Sequence, residues 1–178
     1  MKKYLKKMLM LSLVVSLLCP ITAMATPKGR YELSRGVEEE SILLPETIKT
    51  SIGKENVVER SKALASAMCS ITDTEKGIIN IYAETLMFQP VDWAALTIYL
   101  EKLNETTGKW SVETLEKEFT PADAEDGKLT RAAVSISVGT QPAGYYYRIR
   151  CIHELEYDNG WYEAKSTKTD GVLLTNIK

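Results

Sequence analysis

The sequence GYYYRIRCIHELEY, residues 144–157, decides the fold of this chain. It has the period-2 alternation of a β-strand, in which successive side chains point to opposite faces of a sheet. One set of alternate positions is mostly apolar and includes Ile149 and Leu155, whereas the other set carries Arg148 and Arg150. The stretch therefore predicts a central strand of an antiparallel sheet, with one mostly buried face and one mostly solvated face.

Further strands are predicted on both sides of this stretch, at spacings of about ten to fifteen residues. Gly77, Gly108 and the hairpin signal Asp158-Asn159-Gly160 punctuate them as turns. The predicted strands cover residues 65–71, 78–87, 93–103, 110–119, 129–139 and 161–169, with a short piece at 172–174. The core face of the predicted strand 93–103 comprises Ala94, Leu96, Ile98 and Leu100.

No convincing amphipathic helix interrupts these strands, so the predicted fold class is all-β, a single antiparallel β-sandwich. A tyrosine ahead of a cysteine in a late strand is typical of immunoglobulin-like sheets. Here Tyr147 lies four residues before Cys151, where the immunoglobulin pattern has two. The sequence therefore predicts an immunoglobulin-like architecture and leaves the strand order open.

The first 25 residues are predicted to be a secretory signal peptide. Residues 1–7 are basic, residues 8–18 are apolar, and Ala23-Met24-Ala25 places small residues at the −3 and −1 positions of a cleavage site. The apolar run is shorter than the roughly 20 residues of a membrane-spanning helix. A lipoprotein alternative at Cys19 is disfavoured by the neighbouring leucine and proline. Cleavage after Ala25 would leave a secreted chain without a stable membrane span.

The mature chain is predicted to consist of a polar leader, residues 26–62, and a β-sandwich domain, residues 63–178. The leader contains the acidic run Glu38-Glu39-Glu40. A short helix from Lys54 into Ala65 is compatible with several apolar residues near one face. The length of 178 residues allows one ordinary domain and not two sizeable ones.

Charge argues against a nucleic-acid partner. The formal net charge is −2, and removal of the four signal-peptide lysines leaves 18 basic residues against 24 acidic ones, about −6. Binding to a phosphate backbone requires a basic surface, so nucleic acid is not predicted as a partner. The sequence contains no motif that predicts a metal site or a cofactor. The oligomeric state is left open.

Two cysteines, Cys69 and Cys151, remain after signal-peptide removal. In an oxidising compartment, an even pair at inward-facing positions predicts a disulfide. The bridge would close a loop of about 80 residues and contribute roughly 4 kcal/mol in the chain-entropy picture. The alternative is a pair of buried free thiols, because cysteine also packs well as a small apolar residue.

Several short segments of the sequence resemble those of a family of small, uncharacterised secreted β-sandwich proteins of Gram-positive, clostridia-like bacteria. The segments are Val91-Asp92, residues 96–103, Trp110 after its turn, the tyrosine- and arginine-containing segment 144–150 with His153, and residues 167–171. The resemblance covers residues 64–174. It implies the signal peptide, the polar leader and the single sandwich domain, and it implies no activity, ligand or catalytic residue. In that family small residues are usual at both cysteine positions, which implies a bridge peculiar to this chain.

One face of the predicted central strand is the candidate binding surface. Tyr146, Arg148 and Arg150 share it, and Tyr99 joins it if the strand 93–103 lies alongside. Guanidinium and phenol groups on one sheet face suit sugars, aromatic groups or the side chains of a partner. The alternative is ordinary cross-strand pairing of the two arginines with Glu101 or Glu163.

The sequence therefore predicts a secreted, non-enzymatic module that binds an unknown protein or glycan. One alternative is a small secreted hydrolase that uses His153, the only histidine, with Glu154 or Glu156. In a regular strand those carboxylates point away from His153, so the hydrolase requires a bulge. A second alternative is a structural component of a surface or matrix.

Overall fold

A computed structural model describes residues 41–56, 61–139, 141–158 and 160–176. The predicted signal peptide, its cleavage site and the acidic run of the leader lie outside these residues. Nothing in the described ranges forms a helix long and apolar enough to cross a membrane.

The described chain consists of β-strands with one 3-10 turn at Pro121–Asp123. Two antiparallel sheets pack face to face, with the orders β1-β2-β3-β6 and β5-β4-β7-β8, and β9 also pairs with β7. The all-β sandwich prediction is therefore confirmed. The strands are β1 (Thr50–Asn56), β2 (Leu64–Asp73), β3 (Ile79–Val91), β4 (Trp93–Asn104), β5 (Lys109–Phe119), β6 (Leu129–Val138), β7 (Tyr146–Tyr157), β8 (Trp161–Lys168) and β9 (Val172–Leu173).

The strand order does not confirm an immunoglobulin topology. Strand β1 lies outside β2 at the edge of the first sheet, and β2 and β3 form a hairpin within that sheet. The chain then changes sheets between Val91 and Trp93, returns between β5 and β6, and changes again before β7. The two-layer architecture is that of a β-sandwich, and an immunoglobulin-like topology stays a prediction.

Apolar residues from both sheets fill the space between them. The predicted core face of β4 is confirmed, since Ala94, Leu96, Ile98 and Leu100 are all buried. The predicted strand 65–71 begins at Leu64 in the structure, where Leu64 and Ala67 are both buried. A register shift between Leu64 and Ser66 interrupts the regular alternation at that point, as a β-bulge does.

Strand β1 lies inside the interval predicted as a polar leader. Its sequence, TSIGKEN, carries one large apolar residue, Ile52, which is exposed. The inward positions are Ser51 and Gly53, which pack closely against the end of β8. The hydroxyl of Ser51 accepts a hydrogen bond from the backbone N–H of Asp170 at 2.9 Å. A strand that buries a serine and a glycine has no apolar pattern to predict it.

Residues near both ends of the described chain are joined. Leu43 forms a parallel bridge with Gly171, and the backbone N–H of Leu44 donates to the Gly171 carbonyl at 2.9 Å. Asp73, which is buried, accepts hydrogen bonds from the backbone and hydroxyl of Thr175 and faces Lys49 at 3.5 Å. Lys49 and Thr175, from the first and last described segments, therefore meet at Asp73, the last residue of β2.

Candidate functional site

Strand β7 is central in its sheet, between β4 and β8, as predicted. The expectation that one of its faces is solvated is wrong, because its residues are buried on both faces from Tyr147 to Leu155. On the outer face, Arg148 is 0% and Arg150 4% exposed. Long aromatic and charged side chains from neighbouring strands cover this face and keep water away from it.

The outer face holds a compact group that we call the arginine cluster, comprising Tyr99, Glu101, Trp110, Arg148 and Arg150. The β4–β7 register places Glu101 opposite Arg148 and Tyr99 opposite Arg150. The Nε atom of Arg148 donates to one carboxylate oxygen of Glu101 at 2.6 Å, and the Nε atom of Arg150 donates to the other at 2.7 Å. One buried carboxylate therefore bridges two buried guanidinium groups.

Aromatic rings and a hydroxyl complete the surroundings of the two guanidinium groups. The Cζ atom of Arg148 lies 4.1 Å from the centre of the Trp110 ring, and that of Arg150 lies 5.6 Å from the Tyr99 ring. Both distances are within the range of cation–π attraction. The Nη1 atom of Arg148 also donates to the hydroxyl of Ser41. The segment before β1 therefore contacts the cluster directly.

One donor group of the cluster has no acceptor. The Nη1 atom of Arg150 is buried and has no hydrogen-bond partner in the part of the chain that the structure describes. A buried donor without an acceptor costs about 1–3 kcal/mol, and more when the group is charged. This feature favours an additional anionic acceptor beside Arg150.

Three of the four residues predicted for binding are brought together, namely Tyr99, Arg148 and Arg150. Tyr146 lies at the start of β7, opposite Leu173 of β9, and is half-buried. Cross-strand pairing with Glu101, the alternative to a binding surface, is present. Sequence reasoning missed Trp110 and Ser41 as partners of Arg148. Trp110 lies near the start of β5, which pairs with β4, so the predicted hairpin could have indicated that its ring lies near the arginines. Nothing in the sequence indicates a contact between Ser41 and Arg148.

Glu163, the other carboxylate proposed to pair with the arginines, has a different role. It accepts hydrogen bonds from the hydroxyls of Ser61 and Tyr157 and from the backbone N–H groups of Lys62 and Leu64. Partial burial, which would raise its pKa, is outweighed by these donors, which lower the pKa to about 2. Glu163 therefore fastens the segment before β2 to β8.

His153 is fully buried in the core between two threonine hydroxyls. Its Nδ1 atom lies 2.8 Å from the hydroxyl of Thr85, and its Nε2 atom lies 2.8 Å from that of Thr167. Burial lowers the pKa of His153 to about 4, so the ring is neutral near pH 7. The β4–β7 register runs without a shift past His153, and Glu154 on the opposite face hydrogen-bonds Tyr162. The bulge that the hydrolase hypothesis requires is not present there.

We expect stability to fall between about pH 6.5 and pH 4 because of His153. Its pKa of about 4 in the folded state lies below the ordinary 6.5, so the unfolded chain takes up the proton first as pH falls. The stabilisation is complete above 6.5 and is lost by pH 4, a change of about 3 kcal/mol. Urea unfolding at several pH values measures it.

A His153→Gln variant is the matched control, because glutamine can hydrogen-bond both threonines and does not titrate. Its stability should vary less than that of the wild type over the same pH range. Identical pH profiles for the two proteins would contradict the assignment to His153.

The two cysteines lie in one core cluster, on strands from opposite sheets, and are free thiols in the structure. Burial raises the pKa of Cys69 to about 11, with opposing hydrogen bonds from Thr167 and Gly53. Burial also raises the pKa of Cys151 well above its ordinary value, and the proximity of Cys69 raises it further. Thr167 is the β8 neighbour of Cys151 in the register. The predicted disulfide is not formed in the structure and stays a prediction.

The acidic loop after β5 uses its carboxylates locally. Asp123 accepts hydrogen bonds from the backbone N–H and the hydroxyl of Thr120, and Asp126 accepts one from the backbone N–H of Lys128. Across the described ranges, no group of three or more histidine, cysteine, aspartate or glutamate side chains is placed to hold a metal ion. The loop therefore functions as a turn stabilised by its own side chains.

The resemblance to small secreted proteins of clostridia-like bacteria rests on short sequence segments alone and stays a prediction. Comparison of the chain with protein-family models, with curated proteins and with solved structures found no match.

Proposed function

We propose that the protein is an exported, non-enzymatic binding module that recognises a carboxylate group of a protein or glycan through the arginine cluster. The observation that carries this proposal is the buried Nη1 atom of Arg150, for which the described residues supply no acceptor. A guanidinium presents its N–H donors in a planar fork that suits carboxylates. Export is supported by the basic, apolar and small-residue pattern of residues 1–25.

The charges and rings of the cluster favour the same class of ligand. Arg148 and Arg150 share the carboxylate of Glu101, and a carboxylate of the ligand would supply an acceptor for the Nη1 atom of Arg150. The Trp110 and Tyr99 rings supply flat surfaces against which a sugar or an aromatic group can stack. Because Arg150 is only 4% exposed, binding requires the side chains above it to move aside.

Affinity capture from the producing cell's own surface extract tests the proposal. The bait proteins are the wild type, an Arg150→Lys variant and an Arg131→Lys control. Lysine keeps the charge and lacks the Nη1 donors, so Arg150→Lys should lose the captured partner. Arg131 lies on the other sheet, exposed beside Glu84 and Tyr82, so its variant should capture the same partner as the wild type.

Two further results decide the outcome. The captured partner should be released by a soluble carboxylate such as citrate and not by chloride at equal ionic strength. Circular dichroism must show that Arg150→Lys folds like the wild type. Capture of the same partners by all three bait proteins would refute a role for Arg150. The geometry around His153 gives the hydrolase alternative no support, so no catalytic function is proposed.

We also propose that Cys69 and Cys151 form a disulfide in the exported protein. Both lie in the same core cluster on facing sheets, and both are near Thr167. Oxidation removes two protons and two electrons, which an envelope thiol oxidant would accept.

Alkylation of the denatured exported protein followed by mass measurement should show no free thiol. Reduction should then lower the free energy of unfolding by about 2–4 kcal/mol. A Cys69→Ala/Cys151→Ala variant, which cannot form the bridge, should be insensitive to the reductant. Two alkylated cysteines in the exported protein would contradict the bridge.

A further inference from the structure

Strand β5 is an exposed edge of its sheet. It pairs with β4 over its whole length without a register shift, and β4 is its only strand neighbour in the described ranges. Residues 111–118 are all exposed, including Val112 at 40% and Leu115 at 36%. No proline or bulge interrupts the strand. Charged side chains on such an edge oppose pairing unless the partner strand sets opposite charges against them.

The charges of β5 are arranged for pairing with a second copy of itself. When two identical strands pair antiparallel about a two-fold axis, the two residue numbers in each pair have a constant sum. A pairing centred on Leu115 places Leu115 opposite Leu115 and Glu113 opposite Lys117, twice by symmetry. Opposite charges and apolar side chains in direct cross-strand pairs are stabilising.

Other symmetric pairings, centred on a neighbouring residue, are less favourable than the pairing centred on Leu115. A pairing centred on Glu113 or on Glu116 places two glutamates directly opposite each other. A pairing centred on Thr114 places Glu113 opposite Leu115 and leaves Lys117 opposite Ser111. The charge pattern therefore selects the register centred on Leu115.

We propose that the protein forms a symmetric homodimer in which the β5 strands of two copies pair antiparallel, centred on Leu115. The pairing would make one continuous sheet across the two copies and cover the exposed edge of each. The contact uses the edge of β5 between Ser111 and Phe119, whereas the carboxylate proposal uses Arg150 in β7. The dimer therefore stands independently of the proposed ligand.

Sedimentation velocity with the full chain tests the dimer. The wild type should be dimeric at about 100 µM, a concentration that detects even weak association. A Lys117→Glu substitution places glutamates opposite each other twice and should raise the dimer dissociation constant at least about tenfold. The charge swap Glu113→Lys/Lys117→Glu should restore dimerisation, because each pair is again of opposite sign.

Thiol cross-linking tests the register. A Leu115→Cys variant should be linked between copies by a short bismaleimide, because the two substituted side chains face each other. Val112, equally exposed, would lie opposite Glu118, so Val112 of the two copies is about 20 Å apart and a Val112→Cys variant should not be linked. A monomeric wild type at about 100 µM, no rescue by the charge swap, or equal linking of both variants would overturn the proposal.

Discussion

The Glu101→Gln substitution should lower the free energy of unfolding by about 3–5 kcal/mol, as measured by urea unfolding followed by tryptophan fluorescence. Glu101 is 1% exposed, and its two oxygens bridge Arg148 and Arg150 at 2.6 and 2.5 Å. A neutral amide can accept hydrogen bonds and cannot offset two buried positive charges. The loss is therefore large because the two buried arginines lose the carboxylate that they share.

A Glu125→Gln variant controls for the chemical change itself, because Glu125 is exposed in the loop after β5. It should change stability by less than about 0.5 kcal/mol, the usual range for surface positions. A loss below about 1 kcal/mol for Glu101→Gln would mean that water or another group replaces the carboxylate, and the description of a buried bridge would then be wrong.

The same residues offer a way to separate folding from binding. Replacing a buried ionic group by apolar residues of similar size is often neutral or stabilising. The triple variant Glu101→Leu/Arg148→Met/Arg150→Met should therefore recover most of the stability that Glu101→Gln loses. It should not recover binding to a carboxylate, because the guanidinium groups are gone. Recovery of both properties would place the binding site elsewhere.

The Gly53→Ala substitution should lower the free energy of unfolding by about 3 kcal/mol, at the upper end of the range for overpacking. A Cβ atom at this position would lie 2.1 Å from the backbone carbonyl oxygen of Lys168. Backbone cannot rotate away as a side chain does, so β1 must separate from the end of β8. The hydrogen bond between Ser51 and Asp170 would be lost with that movement.

Urea unfolding measures the loss, and hydrogen exchange shows whether the β1 amides lose protection first. Gly139→Ala is the matched control, because a Cβ atom at Gly139 meets nothing within 4 Å. Equal stability of the two alanine variants would show that β1 lies on β8 less closely than the structure describes.

Much of the fold could be predicted because alternation and turn residues act locally. β4 and β7 follow the period-2 pattern, and Gly108 and Gly160 adopt positive φ angles of 66° and 114° in the predicted hairpins. β1 could not be predicted in this way, because its inward positions are a serine and a glycine rather than apolar residues. Small residues are needed there because the backbone at the end of β8, more than 100 residues later in the chain, lies against Gly53.

The candidate site was predictable only in part, for the same physical reason. The alignment of Tyr99 with Arg150 follows from pairing two regular strands, so sequence reasoning could anticipate it. The burial of Arg148 could not be anticipated, because it depends on side chains such as Trp110 and Ser41 that approach from other segments. Alternation distinguishes the two faces of a strand and does not reveal whether anything covers the outer one.

The bridge between Leu43 and Gly171 bears on the order in which the molecule assembles. Contacts between segments more than 120 residues apart form late, because a long loop must close before they are made. The hydrogen bond from Lys49 to the hydroxyl of Thr175, which are 126 residues apart, has the same character. A chain delivered from its amino end cannot complete these contacts until residues 171–175 have also arrived. The segments 43–49 and 171–175 therefore stay unjoined until the later one has been synthesised.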